Sequence, residues 1–439
     1  MILNSLKELK DYDHIFLVED LLLFKTFFKT NKKNFNSKKI LVLLSPDIEL
    51  KTKKNILANF DLKIKIFSWS LINKDYPSRW LPHKLSYEIL EECKNKIYDS
   101  NLFKFRLMEL LYKDKKIKLA LKKIIILEIK NILSIKKIFS ILHKENKNIT
   151  PIISNRFYSK FSNIIDKINI IQDNNIFKEK IKIINKKEYF ENKKNLFLIF
   201  FYPLYSIFNS KKIIFKPKEK KLGIKIYNNS PGVNQGNTFS LDWIIDSKKF
   251  NNSNTIFVLE DTDRNNHVSR IKEKGYNYIY SSLRKPCQNI SIAELFRSFL
   301  IRFPIGFIVA LFFISSNSSL VKYFLLRSWL NYCIWKKFIS SSRLDYYLTL
   351  HDFHPNHIFR NILLNQINCK SLHYKHTHSE NVYNYKKKDL FSNVIFAYNY
   401  HDIEYHYSKA SSEMSLSDKS SSKKIKISGP IWSSKSSIE

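Results

Sequence analysis

Eight of the chain's 12 histidines (His351, His354, His357, His373, His376, His378, His401 and His406) fall between Leu344 and Trp432. Imidazole titrates near neutrality, so a ring of this kind can take a proton from a hydroxyl nucleophile at cellular pH. Asp352 stands next to His351 and can orient such a ring, while Arg360 and Lys375 suit phosphate or carboxylate oxygens. The chemistry these types fit is general-base catalysis on a hydroxyl beside an anionic group. For any single histidine, capping a strand or solvating a loop is the simpler account. For eight in one stretch it is not. His351, Asp352, His354 and His357 also have the ligand types of a zinc site. Their HxxHxxH spacing is not the HExxH helix pattern, and Pro355 interrupts it, so the sequence assigns no metal and a metal-dependent hydrolase is the minority reading.

The elements that must hold these residues can be read around them. Leu344–Leu350 is an apolar, β-rich run expected as a buried strand. The loop His351–Pro355 follows, and Pro355 suits the first turn of a helix, where a missing N–H costs nothing. Ile358, Ile362 and Leu363 give that helix its apolar stripe. Cys369–Tyr374 returns as a second strand, and Lys375–Asn381 is the loop after it. Loops leaving the carboxyl ends of neighbouring strands are the ligand edge of an open α/β sheet. His351, His354, His376 and His378 are therefore expected to converge on one cleft lined by Arg360 and Lys375.

The chain has 439 residues, enough for two or three domains with real cores, and 34 Phe with 24 Tyr argue for a folded protein. Its formal net charge of +36 points to an anionic membrane surface more than to nucleic acid. Basic residues flank apolar runs, and no nucleic-acid motif interrupts them. Only six glycines occur, with neither a GxGxxG nor a P-loop, which disfavours nicotinamide oxidoreductases and P-loop NTPases. Cys93, Cys287, Cys333 and Cys369 form no CxxC pair, as in a reducing compartment. The N-terminus carries charges throughout, so a cytoplasmic location is expected.

Taken in order, strand signals at His14–Val18, Lys39–Leu44, Leu62–Ser68 and Pro151–Ile153 alternate with helices at Asp20–Lys29 and Glu49–Asn59. Residues 86–145 read as mostly helical, with Ile124–Ile129 as a candidate strand. A second alternation follows, with strands at Leu222–Asn228, Asn254–Leu259 and Tyr276–Tyr280, then Phe391–Tyr398 and Lys424–Ser428 after a Ser/Lys-rich loop at 408–424. Such alternation predicts α/β, Rossmann-like units with mostly parallel sheets. The expected organisation is an N-terminal α/β domain over 1–170, a basic and apolar connector over 171–221, a second α/β domain over 222–432, and a tail over 433–439. An apolar helical insert, 291–340, lies within the second domain. The uncharged runs Leu196–Phe208 and Phe303–Ile314 are shorter than the ~20 residues of a membrane span and suit insertion at the interface.

The run DYYLTLHDFHPNHIFRNILLNQINCKSLHYKHTHSEN, followed by NVIFAYNYHDIEYH and IKISGPIWS, resembles bacterial surface-polysaccharide biosynthesis proteins of the capsule and teichoic-acid type. These are similar to GT-B glycosyltransferases. The resemblance covers about residues 222–432, and residues 1–200 match the N-terminal segment of longer members only in outline. It implies inverting transfer of a sugar or polyol-phosphate unit from a nucleotide-activated donor to a lipid-linked acceptor at an anionic membrane surface, with no other cofactor. It further implies a general base at His354 or His376, oriented by Asp352, with Arg360 and Lys375 as electrostatic partners. His351, His357, His378, Glu380 and Asn381 would be further substrate contacts. The family's donor domain would begin just after Gly429–Pro430, whereas this sequence stops at Glu439. The expectation is therefore that the donor domain lies elsewhere or that the N-terminal half replaces it. A non-catalytic acceptor-binding scaffold is the alternative.

Overall fold

A computed structural model describes residues 3, 5–18, 21–35, 38–44, 62–67, 76–99, 102–154, 174–184, 188–208, 221–226, 251–259, 267–281, 296–316, 318–350, 352–375, 382–384, 389–391, 394–417 and 419–429. The chain is α/β and divides into two compact units, 1–100 with 125–192 and 318–320, and 101–124 with 193–317 and 321–439.

The first unit is built on β1 (His14–Val18), β2 (Ile40–Leu44), β3 (Lys63–Ile66), β4 (Ile149–Ser154) and β5 (Lys182–Ile184). They form a five-stranded parallel sheet in the order β3-β2-β1-β4-β5. β1 and β2 are near-continuous aliphatic and aromatic runs, as expected of parallel strands buried on both faces. Phe16, Val18, Phe24, Phe28, Ile40, Val42, Leu44 and Ile152 make one of its cores. Helix α1 (Leu21–Asn31) follows β1, as expected. The helix expected at Glu49–Asn59 lies outside the described residues. Two expectations are corrected. Ile124–Ile129 is no strand but part of a long helix, Ile117–Glu145, because its apolar residues continue at helical spacing on both sides. The stretch expected as a connector contributes β5 to the first sheet and the helix Glu188–Phe208.

The second unit holds β6 (Leu222–Ile226), β7 (Thr255–Leu259), β8 (Asn277–Tyr280), β9 (Tyr346–Thr349), β10 (Lys370–Lys375), β13 (Ile403–His406) and β14 (Lys424–Ile427). β11 (Val382–Asn384) and β12 (Asp389–Phe391) make a separate antiparallel pair. The seven strands are parallel in the order β14-β13-β10-β9-β6-β7-β8. The sheet winds outward from β6 through β7 and β8, then returns to pair β9 on the other side of β6. The chain reverses direction of travel between these two strands, and ligands of such sheets bind in the crevice at that switch point. Gly223 on β6 permits their close approach, since a Cβ there would stand 2.7 Å from Leu344 and 3.0 Å from Tyr347. Gly275 (φ 74°) follows the helix His267–Glu273 and ends it.

Two further corrections fall here. The expected strand Phe391–Tyr398 is a single helical turn over Val394–Phe396, and the strand beside β10 lies later, at Ile403–His406. The expected loop at 408–424 contains a helix, Lys409–Ser417. Its Ser-rich composition hid it, because serine is a weak helix former. The apolar insert is a helix pair, as expected: a π-helical turn Ser298–Arg302 leads into Phe303–Ile314, then Ser319–Ser342 follows. Among the described residues no helix is long and apolar enough to cross a membrane.

Candidate functional site

The switch point is floored by three charges. Asp352 follows β9 and is buried; it accepts from Lys225 Nζ on β6 at 2.7 Å and pairs with Arg360 Nη2 on the helix Asn356–Asn365. Burial pushes the Asp352 carboxyl up, but Arg360 and Lys225 outweigh it and hold the carboxyl well below the usual range. Arg360 is fixed further by lying over the rings of Tyr347, at 4.6 Å, and Trp335, at 5.5 Å. Among the described residues, the floor sets two cations against one shared carboxylate. Arg360 was expected to face a donor's phosphates; its guanidinium is buried at 1% exposure and committed to Asp352 instead.

His354, two residues beyond Asp352, keeps solvent-accessible surface although protein surrounds it closely, so it lies in a recess. That crowding lowers its pKa to about 4, helped by Arg327, Lys225 and Lys123 and opposed by Asp352. Its Nδ1 accepts from the Asn356 N–H at 3.3 Å, which places the proton of the neutral ring on Nε2. In this state His354 offers the crevice an N–H donor, not a basic lone pair.

His357 is a strap. Its Nδ1 donates to the His354 carbonyl at 2.6 Å and its Nε2 accepts from the Tyr400 N–H at 3.2 Å, so both nitrogens are used and the ring is neutral. Burial drives its pKa well below the usual imidazole value. The ring stacks flat on His401, 5.0 Å away at 4°. The expected substrate contact at His357 is therefore corrected to a structural role.

Behind the crevice a second set of polar groups is buried between neighbouring strands. The register pairs His373 with Glu404 and Lys375 with His406, and all four are buried. Glu404 accepts from Ser415 at 2.9 Å and Ser420 at 3.2 Å, and Lys375 donates to Ser415 at 2.5 Å. Burial raises the Glu404 carboxyl, yet Lys375, His373 and His406 together hold it well below the carboxylate range. Lys375, like Arg360, was expected in the cleft and is turned inward, because residues at positions 371, 373 and 375 share the covered face of β10.

Among the described residues, His373, His401 and Glu404 bring ligand-type atoms within 4.8 Å of one another. At His401 the proton placement argues against metal coordination. Asn361 Nδ2 donates to the Tyr400 carbonyl (2.6 Å) and faces His401 Nδ1 (3.0 Å), while Asn361 Oδ1 accepts from Arg360 Nε (3.1 Å). The amide is pinned in that orientation, so His401 Nδ1 is an acceptor and Nε2 carries the proton a metal would have to displace.

His351, His376, His378, Glu380 and Asn381 lie outside the described residues, so the expected convergence of His351, His354, His376 and His378 is placed only at His354. Lys225, Arg327 and Glu404 were missed. Lys225 had a signal, a lone lysine inside the apolar strand LGIKI, and Glu404 had one in the alternation of IEYH. No family model, no curated protein and no solved structure shows a significant match to this chain.

Proposed function

We propose that this chain is a glycosyltransferase-like protein of surface-polysaccharide synthesis. It would move a sugar or polyol-phosphate unit from a nucleotide-activated donor to a lipid-linked acceptor, working from the cytoplasmic face of the membrane as a peripheral protein. The observation that carries this reading is the topological switch point between β6 and β9, where the buried Lys225, Asp352 and Arg360 cluster fixes the chain that carries the exposed His354. Ligands of such sheets bind at that edge, and an imidazole N–H there suits a phosphate oxygen of a nucleotide donor. Two Rossmann-like units in one chain also match the two-domain plan of GT-B enzymes.

Within this reading the roles of the histidines separate. His354 donates Nε2–H to a phosphate or sugar oxygen. His376, directly after the last residue of β10, is left as the base that takes the acceptor hydroxyl's proton. The test is transfer of radiolabel from nucleotide-activated sugars and CDP-polyols to membrane lipid by the purified full chain. His376→Ala should cut kcat by roughly 10²–10⁴-fold, as loss of a general base does, whereas His354→Ala should act mainly on KM. Transfer unchanged in both variants, or no binding of any nucleotide by calorimetry, would refute the proposal.

A further inference from the structure

Three helical segments, which lie in the second unit from Lys193 onward and over 101–124, carry large apolar side chains exposed to solvent. On Phe303–Ile314 the inner face is Gly306, Val309, Ala310 and Phe313, all buried, while Phe307, Ile308, Leu311 and Ile314 are 41–59% exposed. The preceding π-helical turn exposes Phe299, Leu300 and Ile301 as well. On Glu188–Phe208, Phe197, Phe201 and Tyr205 recur every four residues and are also exposed. Helix Leu102–Tyr112 adds Phe103, 71% exposed.

These segments are joined. Phe200 meets Phe303 at 4.5 Å and Phe307 at 6.0 Å, and Phe103 meets Phe312 at 5.4 Å. Gly306 allows the approach of the two longer segments, since a Cβ there would lie 3.2 Å from the Ile199 carbonyl. Large apolar side chains at this exposure, gathered on packed helices, mark a surface that is covered in use.

The charge around the surface says by what. From Phe296 to Ser342 there is no aspartate or glutamate, while Arg297, Arg302, Lys322, Arg327, Lys336 and Lys337 are all present. From Lys193 to Phe208 there is likewise no acid. Lys104 and Lys322 stand close enough that Lys322, after burial, helps to lower the pKa of Lys104. Glu109 on the third helix is paired with Lys118, and Glu188 and Glu191 lie at the start of their helix, before its exposed aromatic residues. An apolar face whose surroundings are mostly basic complements an anionic lipid leaflet.

We propose that this three-helix face is the membrane-docking surface of the chain and that its partner is the interface of an anionic bilayer. It lies in the plane of the headgroups with its aromatic and aliphatic side chains among the upper acyl chains. The face gives a location to the membrane half of the function proposed above and does not depend on what the crevice catalyses.

The experiment is co-sedimentation of the full chain with vesicles of phosphatidylcholine alone and of phosphatidylcholine with phosphatidylglycerol, at two salt concentrations. The wild type should bind the anionic vesicles, less at high salt. Leu300→Ser with Leu311→Ser should lower binding at least tenfold, and Lys104→Gln with Lys322→Gln about fivefold for each lysine removed. All four positions carry solvent-accessible surface, so unchanged circular dichroism and melting temperature should accompany these losses. Failure of the wild type to bind anionic vesicles would overturn the proposal. So would equal binding by the apolar variant, or a wild-type dimer that Leu300→Ser with Leu311→Ser converts to monomer, which would assign the face to a second copy. Loss of transfer activity with vesicle binding intact would count against the transferase reading alone.

Discussion

At the scale of single residues, charge placement decides most of what this chain can do. Asp352 shows it best, because it is buried between two cations that have no way back to water. Asp352→Asn keeps the shape and removes the buried carboxylate with which both Lys225 and Arg360 pair, so unfolding free energy should fall by about 3–5 kcal/mol. Urea denaturation measures this, and a loss below about 1 kcal/mol would mean that water already reaches the cations. His14 supplies a pH dependence in the first unit. It is half-buried, with Nε2 at 3.0 Å from Thr150 Oγ1, and burial followed by Lys38 and Lys180 lowers its pKa from 6.5 to about 4. Between those values the unfolded chain binds the proton and the folded chain does not. The stability held by neutral His14 is therefore present above pH 6.5 and lost as pH falls toward 4. His14→Gln should make the fall in melting temperature from pH 7 to pH 5 shallower, and an identical slope would clear His14 of the effect. The sequence draws attention to the His-rich stretch, and Asp352 and His354 within it do stand at the carboxyl end of β9. The roles were not legible there. Whether Arg360 and Lys375 face a ligand or buried carboxylates depends on the placement of Asp352 and, through strand register, of Glu404, which spacing alone does not reveal.

At the scale of elements, the helix pair shows how one missing donor is repaired. Pro203 inside Glu188–Phe208 has no N–H, so the Ile199 carbonyl four residues earlier loses its helical partner. Trp329 Nε1 on Ser319–Ser342 fills that place at 2.8 Å and is itself buried. Trp329→Phe should cost about 1–3 kcal/mol from the orphaned carbonyl, besides any packing change. In a Pro203→Ala background the helix regains its own bond, so the same substitution should cost less. A double-mutant cycle with no coupling would show the indole to be only a packing group. Strands such as His14–Val18 were legible because parallel strands read as unbroken apolar runs. Ile403–His406 was not, since its alternation puts Glu404 and His406 on the covered face, the reverse of the usual pattern. The helix Ile117–Glu145 was half legible: its central isoleucines satisfy strand and helix templates alike, and only the length of the pattern separates them.

At the scale of the molecule, the two sheets share a plan in which the first strand of each ends up central. Hydrogen exchange should therefore be slowest in Leu222–Ile226 and Tyr346–Thr349, which have a partner on both sides, and fast in the edge strand Lys424–Ile427. Equal protection of edge and centre would contradict the strand order. Lys424 and Lys426 on that edge also guard its unpaired backbone against addition of another chain. The alternation of strand and helix signals was enough to read the α/β class and the parallel sheets, whereas the order of strands within each sheet follows from pairings that join distant parts of the chain.

The pairing of β6 with β9 has a kinetic consequence. Leu222 lies beside Tyr346, and Lys225 meets Asp352 across 127 positions of sequence. β7 and β8 follow β6 in sequence, but β9 must find β6 after a longer chain closure, which is slower. The buried cluster of Lys225, Asp352 and Arg360 is thus assembled late in folding. A nascent or partly folded chain would have its early strands in place and no site, so ligand capture at the crevice would report that folding has finished.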